Sequence, residues 1–274
     1  TQPQVAATQV HDMATADSLQ QRPPVTLVTV EGLIGTGKTT ALNALKKSFA
    51  GDKRLIVLFE RVAEWEESGL LQAANDGALP EFQYVTLSAC AGDIINALHQ
   101  PQVQLIVSER GMRSNRDVFA ATHLVDKIKR IAYDQVYDNT MRAMPAIREF
   151  VILLDAPPTV ALERMRQRGR PAEKAHALEY YDALHQNQLT MFDRLTIEKL
   201  RIDATKGPAT VAQQLRNVVA SLLDDASHQS EQRTDSPTHP PFSVSRNLAW
   251  RGCERHDGRQ DDKPGCDPQD QHGQ

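Results

Sequence analysis

The sequence has few cysteines, no long apolar run and no excess of positive charge, and each shortage removes a class of protein. Cys90, Cys253 and Cys266 are the whole thiol complement of 274 residues, too few for a disulfide framework and in keeping with a reducing compartment. Cys253 and Cys266 flank His256, but no paired C-x-x-C accompanies them, so the spacing of a zinc site is missing. No apolar run approaches the roughly 20 residues of a membrane helix, and no basic region precedes an apolar one as in a secretion signal. Residues 1–22 are polar and poor in arginine, which also disfavours a mitochondrial transit peptide. A soluble, cytoplasmic protein is expected, with a mitochondrial location left open. The formal net charge of -4 provides no basic field for a nucleic acid polymer. Neither a membrane nor such a polymer is an expected partner.

What is present is a globular core between two polar ends. Hydrophobic residues make up 40% of the chain, enough to bury a sizeable core. From Asp224 to Gln274 the composition turns to Asp, Gln, Pro, His and Ser, which cannot offset ordering entropy by burial, so a disordered C-terminal tail is expected there. The apolar island at 242–250 inside it reads as linker rather than docking segment. With residues 1–22 taken as a disordered N-terminal segment, one domain spans 23–223. Within it, apolar runs at 25–30, 55–59, 103–108, 150–155 and 199–203 alternate with longer amphipathic stretches. Runs apolar on both faces suit strands covered by helices on each side. The expectation is an α/β fold with a five-stranded, mostly parallel sheet flanked by helices. Leu87, Ala91, Ile94, Ile95 and Leu98 mark one of those helices by their spacing.

In open parallel sheets the ligand crevice lies beyond the carboxyl ends of the strands. The first strand runs into Gly32-x-x-x-x-Gly37-Lys38-Thr39. There glycines let backbone N–H groups face a phosphate, Lys38 reaches the outer phosphates and Thr39 offers a hydroxyl to Mg²⁺. The second strand ends at Glu60, a carboxylate suited to take a hydroxyl proton, with Trp65 five residues on as a flat apolar wall. The third ends at Glu109-Arg110. Arg164 and Arg168 share a helix face, and Gly169 lets Arg170 point elsewhere, a cluster suited to an arginine-rich lid over ATP.

These motifs, in this order, resemble those of the deoxyribonucleoside kinases, in the branch that includes deoxycytidine kinase, mitochondrial thymidine kinase and the insect broad-specificity enzyme. The loop EGLIGTGKTT resembles EGNIGSGKST; ERVAEW resembles EPVxxW; FQYVTLSAC resembles the helix with a base-binding glutamine; SERGMRSNRDVFA resembles ERS…DRYxFA; and ERMRQRGRPAEKAHALEYYDALH resembles the lid followed by LEYLxxLH. The resemblance spans roughly residues 25–222. It implies a P-loop kinase fold, with ATP held by Gly32, Gly35, Thr36, Gly37, Lys38, Thr39, Thr40 and the lid residues Arg164, Arg168 and Arg170. It further implies Mg²⁺ at Thr39 and Glu109, Glu60 as general base, and Arg110 and Lys38 on the transferred phosphate. On the acceptor side it implies Trp65, Gln83, Cys90, Arg110, Asn115, Arg116 and Phe119, with Glu179 at the sugar 3′-hydroxyl. Family members are commonly homodimers, so a homodimer is implied too.

The departures bear on the base. Cytidine- and purine-preferring members place an Arg and an Asp where this chain has Cys90 and Asn115, whereas thymidine-accepting members have small or uncharged residues there. Asn75 stands near the place of a sugar-binding tyrosine, Gly111 replaces a serine and Arg61 a proline. The expected activity is ATP-dependent 5′-phosphorylation of deoxyribonucleosides, pyrimidines preferred, thymidine or deoxycytidine. The alternatives are a nucleoside monophosphate kinase of the thymidylate kinase kind and a non-catalytic nucleotide-binding scaffold. Asp155 ends an apolar strand but is left out of the metal site.

Overall fold

The computed structural model describes residues 24–170 and 177–234. The expected N-terminal segment, the zinc candidates, the 242–250 island and the central part of the lid segment lie outside the described residues. The helix α10 defined below continues to Thr234, ten residues past the Asp224 at which the polar tail was expected to begin; the rest of that expected tail lies outside the described residues.

Five strands form one sheet: β1 (Thr26–Glu31), β2 (Leu55–Leu58), β3 (Leu105–Glu109), β4 (Arg148–Asp155) and β5 (Glu198–Asp203). Their order is β2-β3-β1-β4-β5, and every pairing is parallel, so the sheet is parallel throughout rather than mostly so. The connecting helices are α1 (Lys38–Ser48), α2 (Val62–Glu67), α3 (Leu70–Asn75), α4 (Leu79–Leu98), α5 (Met112–Ser114), α6 (Ala121–His123), α7 (Lys127–Ala143), α8 (Pro158–Arg168), α9 (Leu178–Arg194) and α10 (Pro208–Thr234).

The central strand β1 is buried on both faces, and its alternation feeds two cores. Val28 and Val30 pack with Leu42 and Leu45 of α1 and Leu215 and Val219 of α10. Leu27 points the other way, to Leu87, Ile94 and Leu98 of α4 and Tyr133 and Tyr137 of α7. A third cluster, including Leu33, Val118, Leu162, Met165 and Tyr181, packs α8 and α9 beside the loop after β1. Local chemistry sets the helix ends. Asp126 accepts from the Lys129 N–H at 2.9 Å to cap α7, whereas α8 has Pro158 in its first turn and stops at Gly169 with φ 75°.

Between α5 and α6 the chain winds as a π-helix, Asn115–Ala120. Such wide turns are rare and concentrate at functional sites. Here the turn follows β3 and the short α5, at the carboxyl edge where the ends of β1 and β2 also arrive. Among the described residues, no helix is long and apolar enough to cross a membrane.

Candidate active site

The loop after β1 is enclosed by backbone. A Cβ on Gly32 (φ 148°) would lie 2.6 Å from the Leu154 carbonyl oxygen, and one on Gly35 (φ 94°) only 2.2 Å from that of Ala161. Neither position admits a side chain, which ties these glycines to packing as well as to phosphate approach. Gly37, at φ 91°, opens α1. Lys38 is buried and its Nζ donates to the Gly32 and Leu33 carbonyls, each at 3.0 Å. Desolvation and then the Arg110 charge lower its pKa to about 8, against the opposing pull of Glu109, Glu60 and Glu31. The Thr36 hydroxyl donates to the Leu33 carbonyl at 3.0 Å, bracing the loop from within.

Arg110 links the loop to the end of β2. Its Nε lies 2.8 Å from Glu60 Oε1, its Nη1 donates to the Gly32 carbonyl at 3.0 Å, and its guanidinium sits 4.5 Å from the centroid of the Phe119 ring. Its φ of 65° is left-handed, and it is the one such non-glycine among the described residues; this backbone strain turns the chain sharply off β3. Burial opposes its charge, but Glu60, Glu31 and Glu109 outweigh that and hold the pKa above the usual value. Thr39 Oγ1 donates to Glu109 Oε1 at 2.6 Å.

Glu31 was not singled out from the sequence, although a lone carboxylate closing an apolar strand is a signal in itself. It is fully buried, its Oε2 has no hydrogen-bond partner, and desolvation raises its pKa to about 7 in spite of Arg110, Ser114 and Lys38. Gly111 explains itself here: a Cβ at that position would meet the Thr29 Cγ2 at 2.7 Å, so the serine of the family pattern does not fit.

A cavity of about 590 Å³ connects these groups, a size suited to a small organic substrate. Gly35, Gly37, Lys38, Thr39 and Thr40 line it from the loop, Glu60, Glu109 and Arg110 from the strand ends, and Arg168 and Arg170 from the lid side. Trp65, Gln83, Cys90, Asn115 and Phe119 line the rest of it, together with Asn75 and Tyr180. Trp65 meets Phe82 edge to face at 5.3 Å. Arg61 and Asp93 also face the cavity and form an ion pair, with Arg61 Nε 3.0 Å from Asp93 Oδ2. Burial pushes the Cys90 thiol up to about 12, so it stays protonated.

Gly32 and Thr36 of the loop and three further residues expected at the site do not line this cavity. Arg116 is held by Asp117 at 2.7 Å and lies 4.3 Å from the Tyr137 ring centroid. Arg164 donates to the carbonyls of Ala204 and Thr205 at 2.7 and 3.3 Å, which ties α8 to the loop after β5. Glu179 is exposed in the first turn of α9, while its neighbour Tyr180 enters the site. Asp155 is engaged by His185 at 2.9 Å and Arg201 at 2.6 Å and does not line the cavity.

The family model described as deoxynucleoside kinase matches residues 28–224. The chain belongs to the deoxynucleoside kinase family. Mitochondrial thymidine kinase 2 of Homo sapiens is 26% identical over 181 residues, 62% of this chain and 65% of the relative; the chain thus spans a little under two thirds of that relative's length. A probable thymidylate kinase of Natronomonas pharaonis is 24% identical over 208 residues, 72% of this chain and 98% of the relative. Among solved structures, a deoxyadenosine kinase from M. mycoides with dCMP and a flexible dCDP bound superposes with TM-score 0.60 at 19% identity, covering 71% of this chain and 99% of that one. That likeness carries the P-loop kinase fold.

Proposed function

We propose that this deoxynucleoside kinase family member transfers the γ-phosphate of ATP to the 5′-hydroxyl of a deoxyribonucleoside, with pyrimidines preferred. The observation that carries the reading is the joining of two half-sites in one cavity. Glu60 and Arg110, 2.8 Å apart, stand between the phosphate loop and an amide-bearing base pocket. Glu60 accepts the 5′-hydroxyl proton, Arg110 orients the attacking oxygen and the transferred group, and Lys38 with the loop amides holds the phosphates. Arg168 and Arg170 supply positive charge from the lid side. A monophosphate kinase needs no base at this place, because its acceptor is already ionised.

Thr39 and Glu109 offer a hydroxyl and a carboxylate oxygen side by side, the oxygen donors that Mg²⁺ takes. When bound there, Mg²⁺ would neutralise phosphate charge. The uncharged Cys90 and Asn115 support a pyrimidine. The exposed Ile128, Ile131 and Val136 of α7 and the neighbouring Val125 support a homodimer formed on that side of the sheet. We also propose a cytoplasmic location, in keeping with three cysteines and no disulfide framework.

The test is a panel of thymidine, deoxycytidine, deoxyadenosine and deoxyguanosine with ATP, with and without chelation of Mg²⁺. Monophosphate formation that is lost on chelation is expected, with a pyrimidine fastest. Turnover of none of the four overturns the reading.

A further inference from the structure

Glu60 sits in a stretch of chain that belongs to neither neighbouring element. Pairing of β2 with β3 ends at Leu58 and Ser108, and α2 begins at Val62, so Phe59, Glu60 and Arg61 form a linker between strand and helix. A side chain on such a linker is only as well placed as the linker's attachments. On one side Phe59 packs against the core formed with α1 and α10. The direct contact of Glu60 does less than its length suggests. Arg110 Nε lies 2.8 Å from Glu60 Oε1 but is not aligned to donate to it, so that attraction does not fix the direction of the carboxylate.

On the other side the attachment is polar. Arg61 Nε donates to Asp93 Oδ2 at 3.0 Å and Arg61 Nη2 donates to Asp93 Oδ1, so the guanidinium fork grips the whole carboxylate. Asp93 belongs to α4, and its neighbour Ile94 has no exposed surface and packs with Leu87 and Leu98. The carboxylate therefore projects from a helix fixed by its own packing. A longer contact with the exposed Glu64, at 3.5 Å, stays within the first turn of α2. At φ -81° and ψ 38° Arg61 turns the chain from strand into helix, with a side-chain tether where the family pattern has a proline ring to fix φ. A partly exposed ion pair contributes little to fold stability, so the consequence of this one is geometric.

We infer that the Arg61–Asp93 ion pair positions Glu60: by tying the backbone next to the base onto α4, it holds the carboxylate where the acceptor hydroxyl arrives. Arg61 and Asp93 are positioning residues and act through Glu60. The inference rests on the kinase reading above, which makes Glu60 the base, and adds the pair that places it. A misplacement of about 1 Å can cost about 100-fold in rate, so loss of the tether is expected to cost about tenfold or more.

The experiment is a double-mutant cycle on kcat in the full chain, with ATP, Mg²⁺ and the fastest of the four deoxynucleosides. Asp93→Asn and Arg61→Gln are measured alone, together, and each combined with Glu60→Gln. Each alone should lower kcat about tenfold with the KM for ATP changed little, and the two together should cost no more than either, since both break one pair. In the Glu60→Gln background no base remains to be placed, so either should cost less than about twofold. A role in folding or in direct substrate contact multiplies its loss onto that of Glu60→Gln, and that outcome overturns the inference. A kcat within about twofold of the unmodified protein in the single variants also overturns it and leaves the kinase reading in place. Asp93→Asn conserves size, so its half of the cycle decides the matter alone if Arg61→Gln shows no cooperative thermal unfolding. Phosphorylation of none of the four nucleosides by the unmodified protein removes the kinase reading and the inference with it.

Discussion

Arg110 Nε lies 2.8 Å from Glu60 Oε1, so the cation that would orient the attacking oxygen and the base that would take its proton are held against each other. The same guanidinium reaches the Gly32 carbonyl of the phosphate loop, so displacement of Glu60 is felt on both sides of the transfer. Glu60→Gln keeps the shape and removes the base. It should lower kcat by about 10²- to 10⁴-fold, with ATP affinity by titration calorimetry changed little. A loss smaller than tenfold would show that Glu60 is not the base.

The lid arginines separate into two roles. Arg168 lines the cavity, whereas Arg164 spends its guanidinium on the Ala204 and Thr205 carbonyls. Arg168→Ala should therefore lower kcat substantially, by about tenfold or more if it meets the developing phosphate charge. Arg164→Ala should mainly raise the KM for ATP by loosening the loop after β5. Steady-state kinetics with ATP varied checks this, and equal effects on kcat would contradict the division.

Glu31 makes the stability of the fold depend on pH. Its carboxyl is raised from 4.5 to about 7 by burial, so between those values the folded protein holds a proton that the unfolded chain has released. This stabilisation is full below pH 4.5 and is lost as pH rises through 7, to an order-of-magnitude ceiling of about 3 kcal/mol. Glu31→Gln remains neutral at every pH. Urea unfolding at pH 5 and pH 8 should show the unmodified protein losing more stability than the variant over that interval. Identical pH dependence in the two proteins would contradict a buried proton at Glu31.

At Gly111 the prediction concerns packing alone. A Cβ would meet the Thr29 Cγ2 at 2.7 Å, so Gly111→Ser should destabilise by roughly 1–3 kcal/mol. Adding Thr29→Ser, which removes that methyl, should recover part of the loss in a double-mutant cycle. Strict additivity by thermal or urea unfolding would locate the cost elsewhere.

The five strands were legible because each must be apolar on both faces to lie beneath helices, and the phosphate loop because its spacing is dictated by phosphate and helix geometry. Helix spacing puts Gln83 and Cys90 on one face, whereas Asn115, on another element that winds as a π-helix, was reached only through the family resemblance. What periodicity does not carry is which partner captures a side chain. Arg116 is taken by Asp117 and Tyr137, and Arg164 by two carbonyls about 40 residues away in sequence. The Tyr133 hydroxyl meets the Asn115 amide from a different helix, and His123 and Tyr180 join Gln83 only because α6 and α9 pack at the cavity. Glu31 was the one legible feature left unread, a single carboxylate closing an otherwise uncharged strand.

The most direct test of the central claim offers the purified protein equal concentrations of thymidine and thymidine 5′-monophosphate with ATP and Mg²⁺ and follows both products. Conversion of thymidine to its monophosphate, abolished by Glu60→Gln, is the predicted result. Phosphate transfer to the monophosphate alone, or consumption of neither acceptor, would contradict the account.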